Sequence, residues 1–333
     1  MTTRPMILLF GAAALLILAT SVHAQSSQTE DASSTTWTPP RLADGQPDIQ
    51  GMWNNIDAFH TPLELPAELA DRNLSAEELD ELARARKQSM IENFESSEGV
   101  GSYGSHWFDW YWKDAVGTEA PSLVVEPSSR RIPDFTESAA EMVAYNREHL
   151  HDSYEYMESA DRCISRGIFG MMMPTYYNNG TLILQTPGYV VVHSEMIHTA
   201  RIIPVDGSDH PDDSIRLWDG DARGRWEGNT LVVESGNFRA VRSMRGALPS
   251  MRSRQSASQR IVERFTIVDP DTIRYSITMD DPETYVGPWT AAFPLKRDDD
   301  YVQYEYACHE GNYSVPNALG GARQEEREAE QGK

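Results

Sequence analysis

From Thr181 onward the chain reads as strand after strand, and nothing else in the sequence constrains the fold as tightly. The expected strands are 181–186, 189–196, 200–204, 214–219, 229–235, 259–268, 272–280, 288–296 and 301–307. Turn formers separate them: Pro187-Gly188, Asp206-Gly207, Glu227-Gly228-Asn229 and Asp269-Pro270-Asp271. The links are short and no helical periodicity intervenes. Strands joined this way pair antiparallel, and a sheet of this size hides its edges as a barrel or a sandwich. The expected class is α+β, mainly β: an antiparallel barrel-like sheet with amino-terminal helices.

The first half of the chain is different. Segment 39–53, rich in turn residues and proline, reads as extended. Segment 74–94 reads as a helix opened by a Ser75–Glu78 capping box. Segments 123–126 and 131–133 read as a hairpin around Pro127-Ser128-Ser129, and a second helix, capped by Thr136, is expected over 137–158. His149 and His151 lie two apart on that helix, so they cannot share one metal.

Residues 1–24 carry Arg4, an apolar run and a Val22-His23-Ala24 cleavage pattern, as a signal peptide does. The polar stretch 25–36 reads as a disordered leader, 37–321 as a single β-rich domain with a helical amino-terminal portion, and 322–333 as a charged tail. Periplasmic or secreted localisation follows. The net charge of −22 argues against nucleic-acid partners and against docking on anionic lipid. No membrane association is expected once the signal is cleaved. Two cysteines, Cys163 and Cys308, form either one disulfide or two separate buried thiols. A bond would place Arg162 and Arg166 near His309 and Glu310.

Within the strand-rich half, His193, Glu195, His198 and Arg201 put ionisable groups into apolar sequence, where burial demands pairing or a role. As an acid–base cluster, Glu195 or His198 would transfer a proton and Arg201 would orient an anion. The alternative is a metal site of His193, Glu195 and His198, although the spacing is not that of the helical zinc-protease motif. A third reading is structural, with Arg201 paired to Glu195. The aromatic run 106–112 supplies Trp107, Trp110 and Tyr111 for either a ligand wall or a barrel plug. Met172, Tyr177, Glu305 and His309 complete the candidate ligand-binding set. No serine-nucleophile elbow, phosphate loop, dinucleotide fingerprint or Cys-x-x-Cys occurs, so no cofactor is expected.

Several segments together are distinctive: PPRLADGQPDIQGMW, EMIHTARIIPVDG, GRWEGNTLVVES, PWTAAFPLK and YEYACHEGNY. They resemble a large, mostly uncharacterised family of exported bacterial proteins. The resemblance covers most of the chain after residue 24 and implies export and a lipocalin-like fold. It carries over no catalytic residues. In the family pattern the position of His193 is often apolar, which weakens the metal alternative. The expected function is a periplasmic or secreted enzyme, a lyase, isomerase or hydrolase, using cofactor-free acid–base chemistry on a small apolar or carbohydrate-like molecule. The competing expectation is a non-catalytic protein holding an apolar ligand inside the barrel.

Overall fold

The first strand, β1 (Gly51–Asn54), comes from the extended opening segment and bridges the two halves of the sheet. This computed structural model describes residues 37–69, 72–96, 104–244 and 253–332, so the expected signal peptide and leader lie outside the described residues. The helices α1 (Ala76–Glu95) and α2 (Asp109–Trp112) follow, then β2 (Val124–Glu126), α3 (Glu137–Glu148) and α4 (Gly167–Met172). A run of hairpins begins with β3 (Gly180–Thr186), β4 (Tyr189–Ser194) and β5 (Ala200–Pro204). It continues with β6 (Asp221–Glu227), β7 (Thr230–Gly236), β8 (Val241–Met244) and β9 (Ser253–Gln255). The strands β10 (Arg260–Asp269), β11 (Thr272–Asp280) and β12 (Trp289–Arg297) complete the set, and α5 (Ser314–Gln331) follows.

The main sheet has the order β5-β4-β3-β1-β12-β11-β10-β7-β6, with β2 added on β12, and every pairing in it is antiparallel. Its end strands β5 and β6 come together, so the sheet nearly closes. Glycine makes that seam possible. A Cβ on Gly224 of β6 would sit 2.7 Å from Val205 and 3.0 Å from Ile203. The fold is thus the expected mainly β, lipocalin-like barrel. The barrel is filled. Trp53, Ile183, Ile203, Phe265, Tyr275 and Trp289 are fully buried, and α4, buried along its whole length, packs Phe169 against Trp289 with the rings tilted. Side chains thus occupy the space considered for an apolar ligand.

Several expectations need correction. Segments 214–219 and 301–307 are not strands: each follows a neighbour without laddering, because its backbone bonds go to loops and side chains. Segment 131–133 forms no hairpin arm, and β2 pairs with β12 instead. Residues 221–227, for which no strand was expected, form β6, which turns into β7 at Gly228-Asn229. The second helix stops at Glu148, where Asp152 draws the His149 ring into a cap-like pair and the chain breaks into turns. The expected charged tail is the outer part of α5.

The aromatic run neither plugs the barrel nor lines a pocket. Trp110 is fully buried between Phe59 and Phe108 beneath α1, Tyr111 packs against that cluster, and Trp107 is 68% exposed. His60 sits edge-on to Trp110 and Phe59 in the same core. Burial, with the charges of Lys87 and Arg86 on α1 adding to it and a Trp110 backbone contact opposing, lowers its pKa to about 4.

Among the described residues an ion pair lies inside the barrel. Arg201 of β5 forks onto Glu263 of β10, with Nη2 2.8 Å from Oε1, and the Tyr275 hydroxyl of β11 donates to the same oxygen at 2.8 Å. Burial works against charge on Arg201, but Glu263 outweighs it and holds the guanidinium above its usual range. Burial, then the Glu263 charge, keeps the Tyr275 hydroxyl well above its usual range and hence a neutral donor.

Arg201→Met is expected to cost about 3–5 kcal/mol in urea unfolding, because Glu263 is left charged and unpaired in the core. The double variant Arg201→Met/Glu263→Leu is expected to recover at least half of that loss. A single-variant loss below about 1 kcal/mol would mean that the pair is hydrated. For His60 the folded pKa lies below the unfolded value, so the unfolded chain binds the extra proton. The stability this neutral ring contributes is whole above about pH 6.5 and is lost as pH falls toward 4. Between pH 7 and 5 the native protein should lose about 2 kcal/mol more than His60→Phe in parallel urea titrations. Equal losses would place the ring in water.

Candidate functional site

The link between β4 and β5 is where the expected cluster meets its real neighbours. The strand ends at Ser194, Glu195 adopts helical angles, and Ile197 and His198 take φ values of 60° and 43°. Left-handed backbone at a β-branched residue is strained, and here it reverses the chain into β5 within one short turn. Register then puts Arg201 opposite Val192, both facing the barrel interior, and His193 opposite Ala200 on the outer face. The hairpin therefore separates residues that the linear sequence places together. Arg201 pairs with Glu263, not with Glu195 as the structural reading expected.

Glu195 is 2% exposed and serves a different partner, the extended segment that follows β12. Its Oε2 accepts the Tyr301 hydroxyl and its Oε1 accepts the Tyr304 N–H at 3.2 Å. Burial first, then the hydrogen bond and charge of Glu195, raises the Tyr301 hydroxyl far above its usual range, so it stays a donor. Two flanking contacts fix the same segment. His193 Nδ1 bonds Gln303 Oε1 at 3.0 Å, and exposed His198 donates from Nδ1 to the Tyr306 carbonyl at 2.7 Å. Gly180 makes room for the anchor: a Cβ there would lie 2.5 Å from the Tyr301 ring and 3.0 Å from Glu195 Oε2. Asp109 lies close by, its Oδ2 accepting the Asn179 side-chain amide at 3.2 Å. Burial raises its pKa, Asn179 opposes this, and the Glu195 charge adds to the rise.

Beyond this anchor the segment reaches the Cys163–Cys308 disulfide, which settles the two-thiol alternative. Closing a loop of 145 residues in the unfolded chain is worth about 4–5 kcal/mol in the chain-entropy account. Asn312 then donates to the Asp161 carbonyl at 3.1 Å. The result is a strap over the end of the barrel, and beneath it lies a cavity of about 620 Å³.

The cavity wall comes from three stretches. Asp161, Arg166 and Thr175 lie on one side, Tyr177 and Asn178 on another, and Ile197, Glu305 and Cys308 close it. Arg166 is buried, with Nη2 3.5 Å from Thr175 Oγ1. Glu305 is exposed to the cavity, and its carboxylate has no hydrogen bond or ion pair among the described residues. Backbone strain concentrates here. Positive φ occurs at Cys163 (52°), Asn178 (57°), Ile197 and His198, against only Arg130 and Asn237 elsewhere among the described non-glycine residues. Strain persists where the surroundings over-determine it, as at ligand clamps.

Of the expected ligand-binding residues, Tyr177 and Glu305 line this cavity. Met172 and Trp110 are core, Trp107 and His309 face solvent, and Tyr111 is half-buried beside α1. His193, Glu195 and His198 each hold the strap and do not converge. Among the described residues no three His, Cys, Asp or Glu side chains are grouped to hold a metal ion. Arg162 turns to Trp218 and Tyr154 rather than toward His309. Asp161, Asn178, Ile197 and Tyr301 were not singled out by sequence. The cysteine spacing carried a signal for Asp161, since a 163–308 bond brings 161 beside 305–308.

No protein-family model matches the chain, and no curated protein or solved structure is significantly similar to it. No helix among the described residues is long and apolar enough to cross a membrane.

Tyr301→Phe should cost about 1–3 kcal/mol by leaving a buried Glu195 oxygen unpaired. Gly180→Ala should cost at least as much, by pushing the ring off the carboxylate. With Glu195→Gln the two losses should overlap, so that the double variant Tyr301→Phe/Glu195→Gln unfolds at less than the summed loss in urea. Strict additivity would show that the hydroxyl and the carboxylate do not interact.

Proposed function

We propose that this is an exported protein that takes a small hydroxylated, carbohydrate-like molecule into the cavity under the strap and performs acid–base chemistry on it. The carrying observation is the cavity itself: an unengaged Glu305 carboxylate and a buried Arg166 guanidinium share one space with Tyr177 and Asn178. Aromatic faces with amides and charged groups suit a ring bearing hydroxyls, stacking on its apolar face and bonding its rim. A volume of about 620 Å³ admits one or two sugar-sized rings. Glu305 is the proton-transfer group, Asp161 the second carboxylate, and Arg166 orients the ligand or offsets developing negative charge. Glu195 and His198 act through position, by holding the segment that carries Glu305. The disulfide favours an oxidising compartment, which supports periplasmic or secreted localisation.

A second reading, binding without chemistry, draws on one observation. The most buried carboxylate near the cavity, Glu195, has both oxygens engaged by the strap. The ligand would then occupy this cavity, not the filled barrel.

Calorimetric titration of the purified protein with a panel of mono- and disaccharides, followed by product analysis, tests both readings. A bound saccharide whose turnover falls about 100-fold or more in Glu305→Gln while its dissociation constant holds supports the enzyme. Unchanged turnover in that variant sinks Glu305 as the acid–base group. Binding weakened by Tyr177→Ala with no product at all leaves the carrier reading.

A further inference from the structure

Between Glu234 and Glu263 the chain carries six arginines and no Asp, Glu or Lys, in a sequence of 51 acids and 29 bases. Such a local reversal of sign is a physical statement about partners. Two of the described arginines of this run gather with Arg162, whereas Arg254 pairs with Glu283 at 2.7 Å. Arg239 lies over the Trp218 ring at 5.1 Å, and Arg162 reaches the same ring at 5.9 Å and Tyr154 at 5.1 Å. Arg242 lies over Tyr156 at 5.6 Å, and Tyr145 continues the row. None of Arg162, Arg239 and Arg242 has a carboxylate partner among the described residues. Glu155 stands between the two tyrosines, and Asp152 is taken by His149.

The strip is held by built contacts. The Gln255 side-chain amide donates to the carbonyls of both Trp218 (3.0 Å) and Arg239 (2.9 Å). The Asn146 amide donates to the Arg242 carbonyl at 2.8 Å. Each guanidinium is held over a ring by cation–π attraction, and a guanidinium so held can still fork onto a carboxylate or sulfate. A nucleic acid would carry its phosphates past the strip onto the rest of a chain of net charge −22. A flat anionic membrane would meet the rest of a chain with net charge −22, whereas a thin chain touches the strip alone, within a screening length of about 10 Å. The strip also leads to the cavity: Arg162 is flanked by Asp161, in the cavity wall, and by Cys163, in the disulfide.

We infer that the Arg162–Arg239–Arg242 strip binds an acidic polysaccharide, a linear glycan with a carboxylate on successive sugars, and feeds its terminal unit to the cavity. This rests on the proposed carbohydrate-like ligand and narrows it to a polyanionic glycan.

The test uses the full chain after signal cleavage, titrated with an oligogalacturonate and with a neutral oligosaccharide of equal length, and Trp fluorescence as a second readout. The uronate oligomer should bind at least about tenfold tighter than the neutral one, and the gap should close in high salt. Arg239→Gln/Arg242→Gln should weaken uronate binding about tenfold or more and leave the neutral oligomer unaffected. Arg239→Lys, which keeps the charge but not the stacked fork, should fall between and controls for folding. Equal binding of the two oligomers, or arginine variants that bind uronate like the native protein, overturns the strip. Tighter arginine-dependent binding of duplex DNA or of phosphatidylglycerol vesicles overturns the glycan assignment. Failure of the cavity shows differently: Tyr177→Ala then leaves both oligomers unchanged while the arginine variants still lose uronate.

Discussion

A buried carboxylate with both oxygens taken decides the shape of the strapped end of this protein. Glu195 sits in the turn between β4 and β5 and receives the Tyr301 hydroxyl and the Tyr304 amide from the segment beyond β12. Without that anchor the segment is an exposed extended stretch with no ladder of its own. With it, and with the disulfide a few residues further on, the segment becomes a strap that roofs a cavity. The carboxylate tolerates its burial because the strap supplies donors in place of water.

Two other polar devices divide the remaining work. The Arg201–Glu263 pair with Tyr275 ties β5 to β10 and β11 across the barrel interior, linking strands near opposite ends of the sheet order. A charge pair inside an otherwise apolar barrel adds little net stability, yet it penalises any register that leaves one partner alone. The aromatic core around Trp110 and His60 serves the helical layer. It seats α1, and the Phe108 ring stacks on Tyr177, one of the cavity residues. The helical layer and the barrel end are thereby coupled through packed rings.

The sheet was largely legible in the sequence, and the site was only partly so. Seven strands from β3 to β12 match expected segments closely because alternation records which face is buried at each step. The Ser75–Glu78 box likewise announced α1, since capping is local chemistry. The role of β1 could not be read, because GMWN is four residues long and its partners β3 and β12 lie far along the chain. The strand expected at 301–307 failed for a related reason. Its residues have strand propensity, but the neighbouring edge it would need is already paired, so it docks through side chains. The residues His193, Glu195, His198 and Arg201 take separate partners: Gln303, Tyr301 with Tyr304, Tyr306 and Glu263. The reversal at Ile197 turns Arg201 toward the interior and leaves His193 on the outer face, which parts residues that are neighbours in sequence.

By itself the sequence determined an antiparallel, barrel-like sheet, a capped helix ahead of it, and a pair of cysteines able to bond. Each follows from short-range rules: a period of two, a hydrogen bond three residues away, two thiols in an oxidising setting. Only the tertiary structure decided that Arg201 would find Glu263, that Glu195 would hold the strap, and that Glu305, Tyr177 and Arg166 would share one cavity. These pairings join residues scores of positions apart. Their energy comes from satisfying buried polar groups once the whole chain has condensed, and no local pattern encodes which distant donor will be there.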